Sequence, residues 1–141
     1  MLLSSRSGWL GAAAAMILAT PAPAQNFTTA AEVKMILDAT KPQWIAVREW
    51  EGQDLIYFTN LLSWRCGLTS VSFSVNGEPA EQLVMEPCYE DTATPNALQA
   101  TDILPYVTRP LGSVQTVTVS VTYDDDTPDE ASYERKAVLM P

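Results

Sequence analysis

The chain has 141 residues, with 17 Asp+Glu against 8 Lys+Arg, a formal charge of −9 and no histidine. Lack of histidine excludes a Ser-His-Asp triad, a Cys-His pair, an imidazole general base and His-ligated metal. The length suits one domain, and an acidic chain without a basic stripe is not expected to bind nucleic acid.

Residues 1–8 carry Arg6 and no acid, and residues 9–20 form an apolar run through Ala12-Ala13-Ala14-Ala15-Met16-Ile17-Leu18-Ala19. Pro21-Ala22-Pro23-Ala24 then supplies a small-x-small cleavage pattern. This order predicts a secretory signal peptide over residues 1–24, cut after Ala24, and a periplasmic or secreted domain over residues 25–141. The apolar run is short for a span and no stop-transfer pattern follows, so no membrane span is expected after cleavage.

Thr29-Ala30-Ala31-Glu32 is a capping-box pattern, followed by Val33, Ile36 and Leu37 at helical spacing. Pro42 disfavours helix at Lys41, so one short helix is expected over residues 30–40. The period then becomes two. Residues 44–50 and 55–62 read as strands joined by the loop Glu51-Gly52-Gln53-Asp54. In that register Trp50 pairs with Leu55, Arg48 with Tyr57 and Trp44 with Leu61.

Val71, Phe73 and Val75 alternate with serines up to the turn Asn76-Gly77, and residues 82–86 are a candidate returning strand. Val117, Val119, Val121 and Tyr123 alternate with Thr116, Thr118, Ser120 and Thr122. The acidic turn 124–130 leads to a last strand over residues 133–140. The long connection 89–112 holds Thr94-Pro95, a candidate single helical turn, and an edge segment over residues 103–107. The fold class is α+β: one short N-terminal helix followed by an antiparallel sheet of about six strands in hairpins. An all-β sandwich with a peripheral helix is the alternative.

Cys66 and Cys88 are separated by 22 residues, without a C-x-x-C motif. In an oxidising compartment they are expected to form a structural disulfide worth about 3 kcal/mol. The first hairpin places Trp44, Ala46, Arg48, Trp50 and Tyr57 on one side, with Ile45, Val47, Ile56 and Phe58 on the other. Aromatics around an arginine suit a recognition surface, and aromatic faces stack on sugars. The competing account is that the helix covers this face. Tyr106 and Arg109 on the long loop form a second candidate contact surface.

The acids of residues 124–130 are crowded, but the central Gly and ligand spacing of a Ca²⁺ loop are missing, so no metal site is expected. Glu86, Glu90, Asp91 and Asp102 flank Cys88. Only a pair held in a cleft could hydrolyse a glycosidic bond.

Trp64-Arg65-Cys66-Gly67-Leu68, Ser74-Val75-Asn76-Gly77 and Glu86-Pro87-Cys88-Tyr89-Glu90-Asp91 resemble a family of small uncharacterised exported proteins of alphaproteobacteria. The resemblance extends through Leu111-Gly112-Ser113-Val114 and Arg135-Lys136-Ala137-Val138-Leu139-Met140-Pro141. It implies a periplasmic or secreted location and carries over no catalytic residue. The expected role is non-catalytic binding of another protein or a cell-envelope component, without a cofactor. The alternatives are a carboxylate-dependent hydrolase of an envelope glycan and an acidic inhibitor of a basic secreted enzyme.

Overall fold

The computed structural model describes residues 8, 11–16 and 26–141. The expected cut after Ala24 lies outside the described residues. Helix α1 (Ala30–Ala39) starts as its capping box requires. The Thr29 hydroxyl accepts the Glu32 N–H at 3.4 Å, and the Glu32 carboxylate accepts the Phe27 N–H at 3.1 Å. Ala30, Val33 and Leu37 form its buried stripe. Pro42 lies in a 3-10 turn, Lys41–Gln43, that follows. No helix among the described residues is long and apolar enough to cross a membrane.

Strands β1 (Ala46–Trp50) and β2 (Gln53–Tyr57) form a hairpin. Helix α2 (Thr59–Leu62) and a 3-10 turn, Arg65–Gly67, lead to β3 (Leu68–Val75) and the two-residue β4 (Glu81–Gln82). Then come β5 (Tyr106–Pro110), β6 (Thr116–Tyr123), β7 (Pro128–Glu134) and the helical turn α3 (Arg135–Val138). The ladders are antiparallel, apart from an isolated parallel bridge between Val47 and Leu139.

The class is α+β, but the seven strands divide into two sheets rather than one. Their orders are β1-β2-β5 and β4-β3-β6-β7. The chain crosses from the first sheet to the second after β2, returns for β5, and crosses again for β6. Val71, Phe73 and Val75 of β3 pair with Val121, Val119 and Val117 of β6 and point inward. Val47 and Ile56 from the first sheet, and Val33 and Leu37 from α1, join the same buried cluster. Each such side chain contributes roughly 1.5–3 kcal/mol by leaving water.

Several expected element bounds change. The first hairpin loop has two residues, Glu51 (φ 49°) and Gly52 (φ 75°), both left-handed, so Trp50 pairs with Gln53 and Arg48 with Leu55. This primed geometry matches the strand twist, whereas a four-residue loop would have taken Gln53 and Asp54 out of the ladder. The returning strand at residues 82–86 shrinks to β4. The last strand runs earlier, as β7, and residues 135–138 turn helical. Thr94-Pro95 opens a simple turn closed by the Ala97 N–H on the Thr94 carbonyl at 3.1 Å, and the edge segment is β5.

Candidate functional site

The outer face of the first sheet follows from the ladders. Ala46, Tyr57 and Tyr106 form one row across it; Arg48, Leu55 and Thr108 form the next; Trp50, Gln53 and Pro110 form the third. The two-residue register shift leaves the face intact, because strand side chains alternate with a period of two. Trp50 remains 48% exposed, with the Arg48 guanidinium 4.1 Å above its ring. The Tyr57 and Tyr106 rings pair at 5.2 Å. Helix α1 does not cover this face; it packs on Trp44 and on the turn at Gly67.

Trp44 departs from the expected surface. It follows the 3-10 turn with helical angles (φ −61°, ψ −33°), so strand alternation has not begun there. Its side chain is fully buried, and its Nε1–H donates to the Leu37 carbonyl at 2.9 Å. Arg109 also departs. It is an odd number of residues from Tyr106, so the pleat turns it to the sheet's inner face, where it pairs with Glu81 and lies 6.0 Å from the Phe73 ring. Tyr106 therefore shares the outer face with Arg48, Trp50 and Tyr57, and Arg109 does not.

Beside this face is an open groove of about 620 Å³, bordered by Arg48, Tyr57, Asn60, Ser63, Gln43 and Met140, with Trp44 and Ile45 at its floor. Asn60 is oriented by donating to the Gln43 carbonyl at 3.1 Å, and the Ser63 hydroxyl donates to the Thr59 carbonyl at 2.7 Å. The Met140 wall is held by its N–H on the Val47 carbonyl at 2.8 Å, which occupies part of the outer edge of β1. No Asp or Glu lines the groove, although the chain carries 17.

The buried ionic groups lie elsewhere, and sequence reasoning missed two of them as structural devices. Asp54 is fully buried. It accepts the Gly112 and Val114 N–H groups, each at 3.0 Å, and two Arg135 donors at 2.6 and 3.1 Å. Chiefly because of the Arg135 bond, its carboxyl is lowered to about 2. Arg65 donates to the carbonyls of Leu62, Glu86, Pro87, Asn96 and Ala97, which shapes the start of the long connection.

In the sequence Glu86 is only one of four acids near Cys88; in the fold it is the buried one. Burial alone would raise its carboxyl. The Gln99 N–H at 2.7 Å, the Tyr89 hydroxyl at 2.8 Å, the Ala100 N–H and the Arg65 charge together hold it below the usual range. Glu90, Asp91 and Asp102 are exposed. Cys66 and Cys88 are bonded, with Cα atoms 5.1 Å apart, and tie the same connection to the turn before β3.

Three acids of the β6–β7 turn are committed to the fold. Asp124 accepts the Ala30 N–H at 2.7 Å at the start of α1, Asp125 pairs with Lys34 at 2.6 Å, and Asp129 pairs with Lys41 at 2.6 Å. No cluster of metal-ligating side chains occurs among the described residues. No family model matches the chain, and no curated protein or solved structure matches it either.

Proposed function

We propose that the protein is an exported, non-catalytic binding domain, and that its binding surface is the outer face of β1, β2 and β5 with the groove beside it. The observation that carries this reading is the face itself: Trp50, Tyr57 and Tyr106 around Arg48, on a rigid sheet, next to a groove that α1 leaves open. Aromatic and arginine side chains on a pre-formed surface provide contact area at little ordering cost. The groove offers hydroxyls and amides but neither carboxylate nor histidine, so it has no acid–base pair for hydrolysis. The apolar N-terminal segment with its Ala22-x-Ala24 pattern and the disulfide support a periplasmic or secreted location.

The test is affinity capture from cell-envelope extract with the wild-type chain, Tyr57→Ala, Tyr106→Ala and the remote control Lys136→Ala, each checked for folding by urea titration. A component retained by wild type and control but lost from both tyrosine variants is expected. Equal retention by all four, or no retained component, overturns the assignment of this face.

A further inference from the structure

Among the described residues, Lys34, Lys41, Arg65, Arg109, Arg135 and Lys136 each lie within 4 Å of a carboxylate. Arg48 is the one Lys or Arg among them that does not. In a chain with a formal charge of −9, leaving a cation without an acid partner needs an account, and Arg48 borders the groove that no acid lines. Among the described residues its guanidinium donors have no hydrogen-bond partner. Its guanidinium carbon lies 4.1 Å from the centre of the Trp50 ring, a cation–π contact that uses none of its hydrogen-bond donors on a carboxylate. A guanidinium without a carboxylate partner of its own can offer two parallel bonds to a ligand's carboxylate.

We infer that the groove binds a carboxylated saccharide, with the sugar's carboxylate on Arg48; this rests on the binding role proposed above for the same face. Gln43, Thr59, Asn60 and Ser63 supply the mix of amides and hydroxyls that matches sugar hydroxyls, and the Tyr57 ring supplies a stacking surface for a sugar's C–H face. An extended peptide fits less well. It would add to the free edge of β1, and there the Met140 N–H already occupies the Val47 carbonyl. A polyanion is repelled by the acidic chain as a whole, so a ligand with one carboxylate on a neutral body is favoured.

The experiment uses NMR titration of the full chain with three probes. Cellobiouronic acid carries one carboxylate, cellobiose is its neutral counterpart, and N-acetyl-Ala-Ala carries a peptide carboxylate. Binding of cellobiouronic acid should exceed that of cellobiose by about tenfold or more, as for a hydrogen-bonded charge pair. Arg48→Gln should bring the acidic disaccharide down to the cellobiose level, with an unchanged urea midpoint. Arg48→Lys should recover only part of the difference, because it restores the charge without the fork. The inference is overturned by equal binding of the two sugars, by no binding of either at millimolar concentration, or by tighter Arg48-dependent binding of the dipeptide. In each of those cases the tyrosine-dependent capture described above still tests the face itself independently.

Discussion

Replacing Asp54 by Asn tests whether one buried carboxylate pins three parts of the chain. Asp54 lies in β2, and its four bonds reach the β5–β6 connection at Gly112 and Val114 and the start of α3 at Arg135. Removing one partner of a buried ion pair costs about 3–5 kcal/mol. Arg135 keeps Glu49 at 2.7 Å and the Val114 carbonyl at 2.8 Å, so the lower end, about 3 kcal/mol, applies at neutral pH. The pH dependence follows from the carboxyl's fall from 3.8 to about 2 on folding. At about 1.4 kcal/mol per unit this is worth roughly 2 kcal/mol, and solvent reaching Arg135 reduces it to about 1–2 kcal/mol.

The carboxyl is depressed in the folded state, so this contribution is fully present above the unfolded value of 3.8 and is lost as pH falls through about 2. Urea unfolding of wild type and Asp54→Asn, at neutral pH and near pH 2, measures it as a difference in which the other acids cancel. The gap should be about 3 kcal/mol at neutral pH and narrow by about 1–2 kcal/mol in acid. A neutral-pH gap below about 1 kcal/mol, or one that stays constant into acid, would refute the reasoning.

The tryptophans should separate sharply. Trp44→Ala should cost about 3–5 kcal/mol in urea unfolding, whereas half-exposed Trp50→Ala should cost under about 1 kcal/mol. Gly67→Ala should lose about 1–3 kcal/mol, because its new Cβ would press on both Val33 methyls and lie 2.9 Å from the Thr29 carbonyl; an unchanged midpoint would contradict the packing of α1 on that turn. The double variant Cys66→Ala/Cys88→Ala should lose about 3 kcal/mol. Its amide exchange should accelerate along residues 86–100, and slow exchange there would mean that Arg65 and Glu86 hold the connection without the disulfide.

The features legible in the sequence are those whose causes are local. The Thr29–Glu32 box closes over one helical turn, and the valines of β6 alternate because one side faces the core and the other faces water. The outer face of the first hairpin was legible for the same reason: a register error of two residues does not change which side a strand residue points to. Strand alternation does not reach Trp44, because the turn containing Pro42 leaves that residue in helical angles.

Tertiary structure decided the division into two sheets and the use of the charges. Asp54 and Arg135 are 81 residues apart, and Lys41 and Asp129 are 88 apart, so no window of sequence reveals that they meet. Arg48 gains its significance in the same way. An arginine in a strand is ordinary until folding assigns a carboxylate to each of the other six Lys and Arg residues described. Short-range sterics and hydrophobic periodicity act between neighbours and can be read from the chain, whereas charge pairing depends on which distant segments the core brings within a few ångströms.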